Sequence, residues 1–238
     1  MTGASALDVV LFVALPYAAL VLFFFGTIAR YRTSPFSFSS LSSQFLDNKR
    51  HFWSQVPFHY GLLVVLAGHV VAFLVPRAVL AWNEVPLRLF ILEVSSFAFG
   101  LLAFIGLFNI VRRRLTSPRA KMTTTPTDWI LYGLLMLQVL TGLHIAVSNT
   151  WGSSWFAAVL SPYLWSIVRF APDVGWVAPL PFTVKLHIVG LWALLGLFPF
   201  TRLVHVLVVP NPYLWRRPQV VRWYGIRRTG APNAVARK

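Results

Sequence analysis

Five stretches of this chain, roughly Val9–Ile28, Val56–Val75, Leu89–Val111, Trp129–Val147 and Val184–Val208, are almost continuously apolar. About 20 helical residues span the roughly 30 Å of hydrocarbon in a bilayer. Inside lipid, an isolated segment must satisfy its own backbone N–H and C=O groups, which makes each stretch a helix. The expected fold is an all-α integral membrane protein with five transmembrane helices. Composition agrees: 11% of residues are charged and 57% hydrophobic, with mean hydropathy +0.68. Soluble domains carry about 25% charged residues.

The net charge of +15 would suggest nucleic acid in a soluble protein, but here it first serves as a topology signal. With five spans and the N-terminus outside, 17 of the 21 Lys and Arg residues fall on the cytoplasmic side, as the positive-inside rule requires. Arg77, Arg88, Arg169 and Lys185 remain outside. A sixth apolar stretch, Trp151–Phe170, contains Pro162 and is rich in Trp, Tyr and Ser. Counting it as a span would move the C-terminal basic cluster outside, so it is expected to lie along the outer interface. The C-terminus is then cytoplasmic, and the basic residues are also available to anionic lipid.

The first apolar run is followed at once by Arg30 and Arg32 and lacks a positive segment before it, the reverse of a cleaved secretory signal. It reads as an uncleaved first span. Thr125-Pro126-Thr127-Asp128 combines a capping Thr, a first-turn Pro and an early acid, a start signal for the fourth helix. Residues 1–226 form one membrane domain, and Arg227–Lys238 is a basic tail expected to be mobile.

The chain has no cysteine, which excludes disulfides and thiolate-bound metals within it. Histidine carries the chemistry instead. The second apolar run holds His59 and His69, and the fifth holds His187 and His205. An ionisable side chain in a span is costly and marks a functional path. Antiparallel spans put His69 level with His187 and His59 level with His205. At 1.5 Å per residue the separations are about 15 Å and about 27 Å, a mismatch for tilt and a wide macrocycle to absorb. His187 and His205 are five turns apart on a continuous helix and would share a face.

Each level offers two imidazoles and no carboxylate or thiolate to complete a zinc tetrahedron. Bis-imidazole ligation suits an electron-transfer haem, and the absence of Cys-x-x-Cys-His leaves haem of the b type. Hydrogen-bonded interior histidines, or a proton path without a cofactor, are the alternatives. His51 lies 18 residues before His69 but directly follows Lys49-Arg50. His144 has no evident partner.

Five segments together resemble one family: SSQFLDNK (Ser42–Lys49), FHYGLLVVLAGH (Phe58–His69), RRRLTSPRAKMTTT (Arg112–Thr125), KLHIVG (Lys185–Gly190) and LFPFTRLVHVLVVPNPYL (Leu197–Leu214). The family is the gamma subunit, a dihaem cytochrome b, of membrane-bound respiratory nitrate reductase. The resemblance covers roughly Arg30 to Arg222 and is lost across Trp151–Pro181 and in the tail. It implies that His69 and His187 ligate the iron of an outer, distal haem, and His59 and His205 that of an inner, proximal haem. It thereby favours His59 over His51 and gives His144 no haem role.

It further implies quinol oxidation beside the distal haem. Arg88, where the family usually has Lys, is the matching basic residue, with Arg77 as a second candidate. Gly68 matches a glycine lining that site, close helix packing being the other reading. Electrons would pass from menaquinol or ubiquinol through the distal and then the proximal haem to an iron–sulfur subunit. A molybdenum catalytic subunit on the cytoplasmic face would reduce nitrate, and protons released outside would add to the proton motive force. Arg112 is the candidate for a haem propionate, within a set including Arg113, Arg114, Arg202 and Arg216–Arg217. Ser42–Lys49 is a candidate partner contact. Glu93 is either a proton acceptor or an acid at a helix N-terminus. A cytochrome b of a heterodisulfide- or sulfite-reductase-type complex, and a haem-free anchor or proton-conducting subunit, are the rival readings. The implied location is a bacterial or archaeal cytoplasmic membrane.

Overall fold

The computed structural model describes residues 5–34, 37–38 and 48–207. In chain order the helices are α1 (Ala6–Thr33), α2 (Asn48–Leu74), α3 (Pro76–Asn83), α4 (Pro86–Thr116), α5 (Pro118–Met122), α6 (Pro126–Ser148), α7 (residues 152–168) and α8 (Phe182–Phe200). The described residues contain no strand. Helices α1, α2, α4, α6 and α8 are long and apolar enough to cross a membrane, which gives the five spans read from the sequence. Residues 42–47, the His51 side chain, Arg216, Arg217 and the tail Arg227–Lys238 lie outside the described residues.

The helix starts follow from local chemistry. Prolines occupy the first turn of α3, α4, α5 and α6, where the missing N–H costs nothing. Thr125 and Asp128 form a reciprocal capping box at α6, as the sequence signal suggests, and Ser5 with Asp8 does the same at α1. Lys185 at the start of α8 pairs with Asp8 across 3.2 Å, tying the first and last spans together.

Packing relies on small residues. A Cβ at Gly61 would meet the backbone of Phe99 and Ala103 at 2.5 Å, and one at Gly106 would meet the Phe58 nitrogen at 2.3 Å. These two glycines allow α2 and α4 to approach backbone to backbone. Phe58, Leu107, Ile110, Leu131 and Leu135 form the core joining α2, α4 and α6. A second core joins Phe12 and Ala19 of α1 to Leu160, Tyr163 and Ile167 of α7 and Val184, Ile188 and Trp192 of α8. The lateral surface is apolar: Phe25, Leu63, Leu66, Phe90, Ile91 and Ile105 are all exposed. Soluble monomers rarely expose such contiguous apolar area, whereas lipid covers it.

One sequence expectation is corrected and another gains detail. Trp151–Phe170 is not among the spanning helices, and its residues 152–168 form a helix fastened to the bundle. Ser161 donates to the Ala72 carbonyl (2.9 Å), Trp165 Nε1 to that of Phe73 (2.9 Å), and Tyr163 Oη to that of Phe12 (2.9 Å). The Ser, Tyr and Trp that made this stretch look interfacial are the donors that fasten it to α1 and α2. The fifth span is also not one helix to Val208. Its α-helix ends at Leu197, a 3-10 turn covers Phe198–Phe200, Thr201 is extended, and a second 3-10 segment, Arg202–Leu207, carries His205. Pro199 has no N–H to continue the ladder, and its ring opposes the preceding turn. The five-turn argument therefore does not apply to His187 and His205. This break also removes the need for the two histidine separations to match.

Candidate metal centres

His59 on α2 and His205 on the 3-10 segment meet edge to face, with ring centres 6.3 Å apart and planes inclined at 76°. His69 lies ten residues further along α2, and His187 is on α8. The fold thus brings His59 and His205 together from elements that are distant in sequence.

All four rings have Nδ1 within hydrogen-bond distance of an oxygen. His59 Nδ1 lies 2.8 Å from the Gln55 carbonyl, His69 Nδ1 2.8 Å from that of Val65, and His205 Nδ1 2.6 Å from that of Arg202. A carbonyl only accepts, so each Nδ1 carries the proton and each Nε2 keeps its lone pair. His187 Nδ1 lies 2.9 Å from Thr141 Oγ1, which has the Leu137 (2.7 Å) and Gln138 (3.1 Å) carbonyls to receive its single hydrogen. Thr141 therefore accepts from His187. An N–H anchored to oxygen with the other nitrogen free is how ligating histidines are oriented. The exposed His144 departs from the pattern, with its Nε2 3.5 Å from Ser148 Oγ.

The donor set fits an axially ligated metal. Two imidazoles bound from opposite sides, at about 2.0–2.1 Å each, put ring centres roughly 6 Å apart, close to the 6.3 Å between His59 and His205. Among the described residues no three His, Cys, Asp or Glu side chains gather as a metal-binding group, so a tetrahedral all-protein site lacks donors.

The α6 residues behind His187 were not singled out from the sequence. Gln138 Nε2 donates to the His187 carbonyl (3.1 Å), and Gly142 admits the ring, whose Cε1 lies 3.2 Å from where a Cβ would stand. Gln138, Thr141 and Gly142 share one helix face. The available signal was a polar pair in an apolar span, the cost argument already applied to histidine. Thr141→Val keeps the shape and deletes the acceptor. It is expected to weaken occupancy at the His69/His187 level by about 10–100-fold, read by titrating metalloporphyrin into the purified protein, with Thr141→Ser restoring it.

The remaining candidates separate clearly. Gly68 has nothing within 4 Å of a would-be Cβ, so close packing does not explain it, and its face beside His69 is open. Phe156 of α7 stands edge-on to His69 with ring centres 5.1 Å apart. Arg88 is exposed in the first turn of α4, its guanidinium 4.9 Å from the Trp82 ring, a contact worth about 0.5–1 kcal/mol at an exposed site. Arg77 is also held outside the core. Glu93 does not serve its own helix start; its Oε1 accepts from Ser153 N (2.8 Å) and Oγ (2.6 Å) at the first turn of α7. Asn83 donates to Ser153 and Ser154 in the same cluster.

At the other end, Arg112 is exposed while Arg113 and Arg114 are buried. Arg114 Nη1 donates to the Ala120 carbonyl and to the Thr123 and Thr124 hydroxyls, closing the α5 turn. Arg202 is engaged by Asp128 at 2.6 Å and by the Thr123 carbonyl, so its side chain is committed within the fold.

Comparison with known proteins identifies the family of the fold. The nitrate reductase gamma subunit family model matches residues 8–224. The nitrate reductase gamma chain of Bacillus subtilis (strain 168) is 32% identical over 211 residues, covering 87% of this chain and 95% of that protein. The respiratory nitrate reductase 2 gamma chain of Escherichia coli (strain K12) is 34% identical over 211 residues, covering 87% and 93%. With five spanning helices and a match over nearly its whole length, this multi-pass bacterial membrane protein belongs to the nitrate reductase gamma subunit family.

Proposed function

We propose that the chain is a dihaem cytochrome b that oxidises quinol and relays electrons to the nitrate-reducing part of its complex. Family membership makes it a membrane subunit of an oxidoreductase complex. The observation that carries the finer reading is the anchoring of four imidazoles through Nδ1, with the His59 and His205 rings 6.3 Å apart. His69 and His187 hold the iron of a distal b-type haem, and His59 and His205 that of a proximal one. When bound, the haems supply one-electron acceptor sites between a quinol and an iron–sulfur subunit serving a molybdenum catalytic subunit. The basic bias sets orientation: the N-terminus and the His69 level face outward, and the His59 level faces the cytoplasm.

The protein's own residues supply position. Phe156 of α7 stands edge-on to the His69 ring. The open face at Gly68 admits a flat quinol head beside His69. Arg88, held on Trp82, offers a charged donor to the quinol oxygen, and Glu93 accepts a proton on the outward side. Arg112 pairs with a propionate at the inner level.

The purified complex is expected to hold two b-type haems per gamma chain, reducible by a quinol analogue and reoxidised by nitrate. A colourless preparation overturns the reading. Arg88→Ala is expected to slow quinol oxidation by at least about tenfold, a loss near 1.4 kcal/mol, with both haem bands intact. Unchanged steady-state quinol turnover removes Arg88 from the site.

A further inference from the structure

His205 is the exception among the four histidines. His59 and His69 sit on a continuous α-helix and bond the carbonyl four residues back. His187 sits on α8 and is held by α6. His205 instead lies on a short 3-10 segment beyond the break at Pro199 and Thr201, bonded three residues back to Arg202. Short 3-10 segments have poorer hydrogen-bond geometry than α-helices, so this one does not fix a ring by itself.

Two arginines from opposite sides grip the segment. Arg30 of α1 donates through Nη1 to the carbonyls of Pro199 (2.6 Å) and Thr201 (3.0 Å), groups orphaned by the end of α8. Its Nε and Nη2 are held by Ser37 Oγ and the Ser37 carbonyl at 2.9 Å each. On the other side, Arg202 donates to Asp128 Oδ2 (2.6 Å) and to the Thr123 carbonyl. Asp128 is 2% exposed and also accepts from the Thr125 N–H (2.8 Å), so it is fixed by the start of α6. The Arg202 carbonyl that receives His205 Nδ1 therefore belongs to a residue whose side chain is locked to another span.

We infer that Arg30 and the Arg202–Asp128 pair form a clamp that positions His205 as an axial ligand, so that the α1 and α6 ends set the electronic state of the His59/His205 centre. None of the three need touch the metal; they are positioning residues, acting through the strength and direction of the His205 Nδ1 hydrogen bond, which controls the basicity of its Nε2. This rests on the haem reading proposed above. Charged and hydrogen-bonded partners at a half-buried turn hold a geometry that backbone alone leaves loose.

The test is redox titration of the two centres in the membrane-bound complex, using optical and low-spin EPR signals. The variants are Asp128→Asn, which keeps shape and an acceptor oxygen but removes the charge, and Arg30→Lys, which removes the forked donor. In each, the His59/His205 centre is expected to change its reduced-to-oxidised ratio at fixed poise by roughly tenfold, about 59 mV for one electron. Its EPR signature shifts with it, while the His69/His187 centre titrates as in the unmodified protein. Arg30→Lys provides the test if Asp128→Asn fails to assemble. Two haems present and both centres unchanged in the variants overturns the clamp alone. An unmodified complex without haem overturns the haem reading itself.

Discussion

Replacing His59 by alanine is expected to remove one of two b-type haems, and replacing His205 is expected to remove the same one. The rings meet edge to face with centres 6.3 Å apart, and under the proposed function each would supply half of one ligand pair. Residues that act as one unit are non-additive. The double variant His59→Ala/His205→Ala is therefore expected to retain the haem lost by neither single variant, with no further loss. His59→Ala/His69→Ala crosses the two levels and is expected to lose both. Pyridine haemochrome content and the split of the reduced α-band read these outcomes. A His59→Ala/His205→Ala protein with less haem than either single variant contradicts the pairing.

That pairing was legible in sequence only up to a point. Five apolar runs announced five spans because the bilayer imposes one length and one backbone solution. The four histidines stood out because ionisable groups are rare at such depth. The path of the chain between His187 and His205 was not legible. A continuous run of apolar residues looks the same whether it is one helix or a helix broken at Pro199, and only the extended Thr201 and the following 3-10 segment reveal the change. The residues around the ligands were hidden for another reason. Thr141 reaches His187 from 46 positions away and Asp128 reaches Arg202 from 74, distances at which local pattern carries no information. Asp128 was recognised for its local task of capping α6, while its second role at Arg202 depends on where α8 ends.

Gly106→Ala is expected to destabilise the fold and disturb the His59/His205 level, although alanine is the better helix former. Propensity favours the substitution by about 0.8–1 kcal/mol. Against it, the new Cβ would stand 2.3 Å from the Phe58 backbone nitrogen and 2.7 Å from its Cα. Backbone atoms cannot rotate aside as a side chain can, so α2 itself must move away from α4. Overpacking costs about 1–3 kcal/mol where side chains can adjust, and the rigid neighbour here places the expected net loss toward the upper part of that range. Phe58 directly precedes His59, so the displacement passes to this proposed ligand, and reduced haem content is expected along with a lower midpoint in a detergent thermal scan. Gly133 supplies the control, since a Cβ there meets nothing within 4 Å, and Gly133→Ala is expected to be neutral or stabilising with both haems retained. Equal stability of the Gly106→Ala and Gly133→Ala proteins would show that α2 and α4 do not depend on backbone contact at this crossing.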